Sequence, residues 1–230
     1  NKFIIDENYL PPKPLQTGMH IVDSILLDDL RDYIDWTPFF HAWELHGTYP
    51  KILNDEKVGE QAQILFDEGN VLLNEIISKK TLSIHGVYGI FPVNSKDETI
   101  TVYRDESRTE VLEELVHIRQ QMDKGKNGNN YCLADLITST EQQADDWMGA
   151  FAVMVGPEVE SLCAQYEADH DDYSAIMLKV LADRLAEAFA EKLHSEIRKN
   201  IWGYEPHERL TNDEMIKEKY IGIRPAPGYP

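Results

Sequence analysis

The strongest hydrophobic pattern in the chain predicts a long helix near its C-terminal end. Large apolar residues recur at every fourth position between residues 171 and 199, and they are Met177, Leu181, Leu185, Phe189, Leu193 and Ile197. Apolar positions that repeat with this period form one buried face of an α-helix. The segment therefore predicts an amphipathic helix about 40 Å long that lays one face on the core.

Weaker patterns of the same kind predict three helices in the first third of the chain. Residues 23–35 place apolar side chains three and four positions apart with aspartates between them, which is typical of an amphipathic helix. Thr37–Pro38 is typical of a helix N-cap followed by a first-turn proline, and it predicts a second helix that ends near residue 47. Asp35 falls in the junction between these helices. A third helix is predicted over residues 58–79, with an apolar stripe at Ile64, Leu65, Val71, Leu72 and Ile76.

After residue 80 the apolar residues no longer follow the spacing of a helix, and the new pattern predicts a sheet. Residues 82–93 and 99–105 are short, β-branched and aromatic, and the polar segment 94–98 joins them. They therefore predict an antiparallel pair of strands. Residues 109–121 have both helical and strand features, and the pattern leaves that choice open.

Later elements complete a mixed pattern of helices and strands. The apolar run 147–156 predicts a central strand buried on both faces, followed by a helix to about residue 168. Thr211 or Asn212 is expected to cap a further short helix. The elements do not follow a regular βαβ rhythm, so the predicted fold class is α+β, with a mainly antiparallel sheet and long flanking helices in a single domain.

The N-terminal residues differ from the rest of the chain. Residues 1–18 contain Pro11, Pro12 and Pro14, and each proline restricts the residue before it to extended backbone. We therefore expect an extended arm or linker remnant over residues 1–18, and the domain itself over residues 19–230.

The composition of the chain indicates which kinds of partner and which cellular compartment to expect. The chain has 230 residues, of which 42% are hydrophobic, so it can bury a substantial core. The net charge of -19 would repel phosphate groups and argues against nucleic acid as a partner. Cys132 and Cys163 form no CxxC pair, which favours a reducing, cytoplasmic setting. No run is apolar for the length of a membrane helix, and the first residues lack signal-peptide features, so no membrane partner is expected.

Motifs for common chemistry are few. The sequence has neither a glycine-rich phosphate loop nor a GxSxG nucleophile motif. The pattern ExxH occurs three times, at Glu114 and His117, Glu167 and His170, and Glu191 and His194. Two such pairs with two further glutamates on facing helices form a di-iron carboxylate centre. An acidic, helical chain also produces this spacing by chance, so solvated helix faces remain the alternative.

The segment GIRPAPGYP at residues 222–230 has the features of a carboxylate receptor. Pro225 restricts Arg224 to extended backbone, and Gly222 and Gly228 allow a ligand to approach the main chain. A guanidinium held beside open backbone groups suits a carboxylate. A plain proline-rich turn is the alternative interpretation, and Asp35 likewise has the alternative of capping the helix that follows it.

Four segments of the chain carry a family resemblance. They are IDWTPFF (34–40), YCLADLI (131–137), HDDYSAIMLKVLADRLAEAFAEKLH (170–194) and GIRPAPGYP (222–230). Together, and in this order, they resemble the C-terminal activation domain of cobalamin-dependent methionine synthase from about Asp23 to Pro230. The resemblance implies an S-adenosylmethionine-binding module in which helices pack around a twisted antiparallel sheet. It also implies a domain that continues past residue 230, so that this chain is incomplete at its C-terminal end and lacks aromatic contacts to the adenosine.

The resemblance implies a role in repair of a cofactor. In that family, cobalamin is held by another domain of the same polypeptide and is occasionally oxidised to cob(II)alamin. A flavodoxin-like donor then supplies an electron, S-adenosylmethionine supplies a methyl group, and methylcobalamin is restored. The implied enzyme is a cobalamin-dependent 5-methyltetrahydrofolate–homocysteine methyltransferase, of which this fragment would be a monomeric part that does not turn over alone. The donor is expected to dock on a relatively basic stretch, Arg104, Arg108, Arg119, Lys124 and Lys126.

The resemblance also implies which residues contact the ligand, and none of them is expected to be catalytic or to bind a metal. These positions are Asp35, Glu187, Glu218, Arg224, Ala226 and Tyr229. Arg224 is expected to bind the carboxylate of S-adenosylmethionine and Asp35 its ammonium, with the backbone at Ala226 and the ring of Tyr229 completing the contact. Glu187 and Glu218 are expected near the sulfonium, with an outward-facing helix position as the alternative for Glu187. A di-iron enzyme and a non-catalytic protein-interaction domain are the rival classes.

Overall fold

The computed structural model describes residues 9–125, 128–142 and 144–225 as an α+β fold. The strands are β1 (Gly18–Val22), β2 (Ile84–Lys96), β3 (Thr99–Tyr103), β4 (Val111–Val116) and β5 (Asp146–Val155). The α-helices are α1 (Thr37–His41), α2 (Gly59–Lys79), α3 (Glu158–Ala168), α4 (Asp172–Glu196) and α5 (Asn212–Ile216). Three 3-10 segments, Leu27–Tyr33, Lys51–Asn54 and Leu133–Leu136, and one π-helical turn, Ile197–Ile201, complete the elements. None of the helices in these residues combines the length and apolarity needed to cross a membrane.

The sheet confirms the predicted antiparallel pairing. Its strand order is β1-β2-β3-β4, and β5 also pairs with β2. β2 and β3 form an antiparallel hairpin whose last pair is Lys96 and Thr99, so β2 extends into the segment that was predicted as a connector. The turn is shortened to two residues because Asp97 adopts a φ of 54°, a left-handed conformation that aspartate tolerates. The segment that the sequence left undecided forms β4, which pairs antiparallel with β3.

Contacts divide the chain into two compact units, and each unit is built from three separate segments. The first unit contains Asn1–Ile21, Val87–Phe151 and Arg198–Tyr204. The second unit contains Val22–Gly86, Ala152–Ile197 and Glu205–Pro230. The division into an arm at residues 1–18 and a domain at residues 19–230 stays a prediction.

The first unit combines an apolar cluster with a buried ion pair. The cluster consists of Val93, Ile100, Val102, Cys132 and Ala134. Beside Cys132, the carboxylate of Asp135 has a side-chain exposure of 0% and is paired with Arg119. Nη1 of Arg119 lies 2.5 Å from Oδ2, and Nη2 lies 2.7 Å from Oδ1, so the contact is bidentate.

The second unit is organised by α4, and the predicted apolar face of this helix is confirmed. All six of the apolar residues that recur at every fourth position are buried. The helix begins where the carboxylate of Asp171 accepts a hydrogen bond from the backbone N–H of Ser174 at 3.0 Å, which is an N-cap. A second buried cluster, Ile76, Leu82, Cys163, Ala175 and Leu178, joins α2, α3 and α4.

The predicted amphipathic helix at residues 23–35 is wrong, because the segment forms a 3-10 helix. The backbone N–H of Asp29 bonds the carbonyl of Leu26 at 3.0 Å, which is an i to i+3 contact. The Asp29 carboxylate in turn accepts the N–H of Leu26 at 2.8 Å. Aspartate side chains compete in this way for backbone groups and favour tight turns over α-helix. Leu30 and Ile34 are buried, whereas Leu26 lies exposed.

The helix that was predicted to extend to Gly47 ends early, after a single turn. Thr37 does not cap it, because its hydroxyl accepts the backbone N–H of Tyr49 at 3.2 Å. The N–H of Leu45 returns to the carbonyl of Phe40 at 3.0 Å, which closes the end of α1 and directs the chain away. Leu45 is therefore buried by a turn instead of by a continuing helix.

The position of α2 was predicted correctly, but part of its buried face was not. Ile64 and Val71 are 55% and 67% exposed. The buried positions of α2 include Ala62 and Gly69. A Cβ on Gly69 would lie 2.8 Å from Cζ of Phe39, so glycine is what allows that ring to lie against the helix. Small residues mark this face, and a count of large apolar residues overlooks them.

The strand predicted at residues 147–156 is present as β5, but the prediction that both of its faces are buried is wrong. Asp146 and Trp147 are buried at its start, and beyond them the strand has positions that are only partly buried or exposed, among them Met154. Among the described residues, β5 pairs with β2 alone. A strand with one partner and one covered face alternates in burial, although its apolar run is continuous.

Candidate functional site

The guanidinium of Arg224 lies against two glutamates of α4. Its Nη2 donates a hydrogen bond to Oε1 of Glu191. The same nitrogen lies 3.8 Å from Oε1 of Glu187. Residues four apart share one face of a helix, so α4 presents both carboxylates to one guanidinium. The side chain of Glu191 is 10% exposed, whereas that of Glu187 is 52% exposed, and the guanidinium therefore lies between a buried and a solvated carboxylate.

A cavity of about 260 Å³ lies beside this guanidinium. It is lined by Glu218, Tyr220, Gly222, Ile223, Arg224 and Pro225. Nη1 of Arg224 is buried, and within residues 9–125, 128–142 and 144–225 it has no hydrogen-bond partner. Gly222 adopts a φ of 110°, a backbone conformation that residues with a Cβ rarely adopt. A cationic nitrogen that is buried without a partner is costly, and an anionic ligand would offset that cost.

The segment that leads to Arg224 is stabilised at the start of α5 and again after the end of this helix. Thr211 and Glu214 form a capping box, in which the Glu214 carboxylate accepts the backbone N–H of Thr211 at 3.1 Å. Met215 is buried beneath this turn. Further along, the ring of Tyr220 meets His194 of α4 edge-on, with 4.8 Å between centroids. The contact of Tyr220 with His194 places this part of the cavity lining against α4.

Asp35 lies in the junction between the 3-10 segment and α1, as predicted. Its Oδ1 accepts the backbone N–H of Thr37 at 2.9 Å, so the carboxylate satisfies one of the free N–H groups at the start of α1. In the part of the chain that the structure describes, Oδ2 accepts no hydrogen bond. Asp35 therefore bonds the first N–H of α1 from the position before its N-cap, which is Trp36 and makes no side-chain cap hydrogen bond. The second oxygen of Asp35 can still accept a donor from a ligand.

An aromatic cluster fixes the backbone on which Asp35 lies. Phe39 and Phe40 are fully buried, and Trp36 is nearly so. The ring of Phe66 from α2 packs on Trp36 at 4.8 Å between centroids and on Tyr49 at 5.3 Å. Large buried rings of this kind have little rotational freedom, so the carboxylate of the half-buried Asp35 is held by a rigid support.

Two contacts bring the segments of Asp35 and Arg224 to the same part of α4. The amide Nδ2 of Asn212 in α5 donates to the carbonyl of Ile34, the residue before Asp35, at 3.1 Å. Nζ of Lys192 lies 5.3 Å from the centroid of the Tyr33 ring. Lys192 directly follows Glu191, the partner of Arg224. Tyr33, two residues before Asp35, and the guanidinium of Arg224 therefore contact neighbouring residues of α4.

Lys192 adds a positive charge to this part of α4. Burial disfavours its charged form, but the ion pair with Glu196 at 3.0 Å and the nearby Tyr33 outweigh burial, and the pKa of the ammonium lies above its ordinary value. Lys192 is thus charged across the neutral pH range and is held in place by its partner.

The predicted acidic positions differ in how closely they approach Arg224. Glu187 lies within ion-pair distance of it. Glu218 is exposed, adopts a φ of 53°, and lines the cavity with Arg224. Ala226 and Tyr229 lie outside the described residues. Glu218 lines the cavity, and Glu187 and Glu191 contact the guanidinium that also lines it, so three carboxylates lie in or beside the cavity. This arrangement suits a ligand that carries cationic groups beside its carboxylate.

The sequence did not predict that Glu191 pairs with Arg224, that Tyr220 lines the cavity, or that Asn212 bonds the carbonyl of Ile34. The ExxH pattern suggested Glu191 only as a metal ligand with His194, whereas Glu191 pairs with Arg224 and His194 packs on Tyr220. In the described residues, no group of three or more His, Cys, Asp or Glu side chains is arranged to hold a metal ion. The usable signal was the four-residue spacing from Glu187 to Glu191, which puts both on one helix face.

The relatively basic stretch predicted for docking is largely occupied by internal contacts. Arg119 is paired with Asp135, and the Glu98 carboxylate accepts from its Nε at 2.8 Å. Arg108 donates to Asn94 at 2.8 Å, and Arg104 pairs with Glu110 at 2.7 Å. Lys124 lies over the ring of Tyr131, 5.0 Å from its centroid, and Lys126 is not among the described residues. Docking of an electron donor on this stretch stays a prediction.

Comparison with known proteins relates the chain to one protein family and to a solved structure. A family model described as "Vitamin B12 dependent methionine synthase, activation domain" matches residues 26–230, which include segments of both compact units. A solved structure described as the MetH reactivation domain bound to AdoHcy aligns with a TM-score of 0.96 and 50% sequence identity. That alignment covers 100% of this chain and 70% of the solved chain.

Proposed function

The chain belongs to the activation-domain family of vitamin B12-dependent methionine synthase, and on this basis we propose that it binds S-adenosylmethionine in the cavity beside Arg224. The observation that carries the proposal is the buried Nη1 of Arg224, which has no partner in the described residues. The related solved domain binds AdoHcy, which has the same amino-acid end as S-adenosylmethionine.

The amino-acid end of the ligand is held at two points in this proposal. Arg224 donates to the carboxylate, and the charge-assisted contact is stronger than one between neutral groups. Asp35 accepts from the ammonium through Oδ2, while Oδ1 keeps its hydrogen bond to Thr37. The contacts that bring the Asp35 and Arg224 segments to the same part of α4 support this pairing.

The other proposed ligand contacts are those that the family resemblance implies. Glu187 and Glu218 face the sulfonium, where their negative charge stabilises the bound cation. The backbone at Ala226 and the ring of Tyr229 complete the enclosure of the ligand. The carboxylates in and beside the cavity support this assignment, since the sulfonium of S-adenosylmethionine is positively charged.

The residues of this chain bind and align the methyl donor. When cobalamin is present, it supplies the nucleophile for methyl transfer, so the protein needs no general acid or base. Arg224 and Asp35 fix the position of the methyl group, and walls such as Tyr220 and Ile223 exclude water from it. Carboxylates near the sulfonium favour the bound substrate more than a transition state in which this charge fades, so they serve affinity more than rate.

We further propose the wider setting that the family suggests. The chain acts within a cobalamin-dependent 5-methyltetrahydrofolate–homocysteine methyltransferase, with the cobalamin-binding domain of the same polypeptide as its partner. It supports reductive methylation of cob(II)alamin with an electron from a flavodoxin-like donor. It works as a monomer in the cytoplasm, and residues 1–18 link the domain over residues 19–230 to what precedes it. No observation favours a di-iron enzyme or a separate interaction module.

Removing either end of the amino-acid clamp is expected to weaken binding of S-adenosylmethionine. Arg224→Ala and Asp35→Ala should each cost about 1.5–3 kcal/mol, the value of a hydrogen bond to a charged group. Isothermal titration calorimetry of the ligand into each variant measures the loss directly.

Two controls separate loss of the ligand contact from loss of structure. Asp35→Asn retains an oxygen for the N–H of Thr37 but lacks the charge, so it should bind almost as weakly as Asp35→Ala while folding normally. Arg209→Ala removes an exposed arginine from the same C-terminal segment and should bind like the unaltered protein. Full affinity in both Arg224→Ala and Asp35→Ala would rule out the proposed pocket.

The acidic positions are expected to distinguish S-adenosylmethionine from AdoHcy. Replacing Glu187 and Glu218 together by glutamine should lower affinity for S-adenosylmethionine about two- to fivefold, because solvent screens these exposed carboxylates. Affinity for AdoHcy, which is neutral at sulfur, should remain unchanged. Competition titrations with both ligands give the ratio, and an equal loss for the two would argue against a sulfonium contact.

A further inference from the structure

The two terminal nitrogens of Arg224 have different environments. Nη2 donates to Oε1 of Glu191 and lies 3.8 Å from Glu187. Nη1 is buried and has no hydrogen-bond partner within the described ranges. The guanidinium is planar and its donors have fixed directions, so an acceptor on one nitrogen determines where the other nitrogen points.

We propose that Glu191 is a positioning residue, which holds Nη2 of Arg224 and thereby directs Nη1 at the carboxylate of the ligand. This inference rests on the proposed function and assigns the two nitrogens different tasks. Nη2 orients the side chain, and Nη1 recognises the ligand.

The position of Glu191 on α4 suits this task. It lies between Phe189 and Leu193, which are both buried in the core of the second unit. Its own side chain is only 10% exposed. A carboxylate fixed to a packed helix has few alternative positions, so its partner is oriented before the ligand arrives.

Glu187 is not equivalent to Glu191. It lies one turn earlier, its side chain is 52% exposed, and its nearest contact with Nη2 is 3.8 Å. A solvated carboxylate at this distance attracts the guanidinium but does not fix its plane. The orienting role therefore belongs to the buried member of the pair.

The test compares S-adenosylmethionine with decarboxylated S-adenosylmethionine, which lacks only the group that Nη1 is proposed to recognise. In Glu191→Ala, affinity for S-adenosylmethionine should fall about tenfold, whereas affinity for the decarboxylated ligand should change less than twofold. Glu191→Gln retains an amide oxygen for Nη2 and should recover most of the lost affinity. Glu75→Ala, which removes an exposed carboxylate of α2, is the control and should leave both affinities unchanged.

The outcomes that overturn the inference are distinct from those that overturn the proposed function. If Glu191→Ala weakens both ligands equally, Glu191 has only a structural role, and if it weakens neither, it has no role in binding. Arg224→Lys has a charge but no second nitrogen, so full binding by this variant would also contradict the division of tasks. If the unaltered protein binds neither ligand, the proposed function fails and this inference fails with it.

Discussion

Asp135→Ala is expected to lower the free energy of unfolding by about 3–5 kcal/mol, because it leaves the charge of Arg119 without its buried partner. The carboxylate has a side-chain exposure of 0%, and both of its oxygens accept from the guanidinium. Oδ2 also accepts the backbone N–H of Cys132 at 3.1 Å, so the substitution leaves a second donor unsatisfied. Glu98 retains a contact with Nε of Arg119, but its side chain is 44% exposed and binds one nitrogen only, so it replaces little of the lost interaction.

Urea denaturation followed by circular dichroism measures this change. The control is Glu110→Ala, which removes the partner of Arg104 from a pair whose side chains are both more than half exposed. That substitution should cost less than about 1 kcal/mol. Equal losses in the two variants would contradict the view that burial determines the strength of the Arg119 pair.

Phe189→Ala is expected to lower the free energy of unfolding by about 3–5 kcal/mol, because it opens a cavity in the second unit. The ring is buried on α4, and its Cζ would lie 2.8 Å from a Cβ placed on Gly86. The ring therefore occupies the space that the missing Cβ of Gly86 leaves open. Because Phe189 lies between Glu187 and Glu191 in the sequence, its loss also loosens the helix that carries both carboxylates.

Urea denaturation with an exposed residue of the same helix as control tests this prediction. Ile176→Ala removes a partly exposed side chain from α4 and should change the stability by only about 0.5 kcal/mol. A loss in Phe189→Ala below about 1.5 kcal/mol would indicate that the surrounding residues collapse into the cavity.

The sequence predicted elements well where burial depends on large apolar residues alone. The prediction that an apolar residue is buried at every fourth position from Met177 to Ile197 is confirmed, because all six side chains are buried. The prediction of the buried face of α2 was partly wrong because that face includes the small residues Ala62 and Gly69, and Gly69 leaves room for the ring of Phe39. The segment at residues 23–35 was wrong because aspartate carboxylates bind nearby N–H groups and favour a 3-10 helix.

The candidate site depends on contacts between residues far apart in the sequence, and these have no periodic signal. Arg224 and Asp35 were recognisable from local motifs and from the family resemblance. The partner of Arg224 is Glu191, which lies 33 positions away, and the link from Asn212 to Ile34 spans 178 positions. Only the folded chain brings such pairs together, so the orientation of the guanidinium could not be predicted from sequence.

The assembly of each compact unit from three separated segments constrains how the protein is made. The first unit requires Arg198–Tyr204, and the second requires the segment that begins at Glu205. Neither unit can therefore be completed on the ribosome until its last segment, Arg198–Tyr204 or Glu205–Pro230, has been synthesised. Chains synthesised at about 5–20 residues per second expose incomplete apolar surface for roughly ten seconds or more. Chaperones that shield nascent chains are expected to have their greatest effect on yield during that interval.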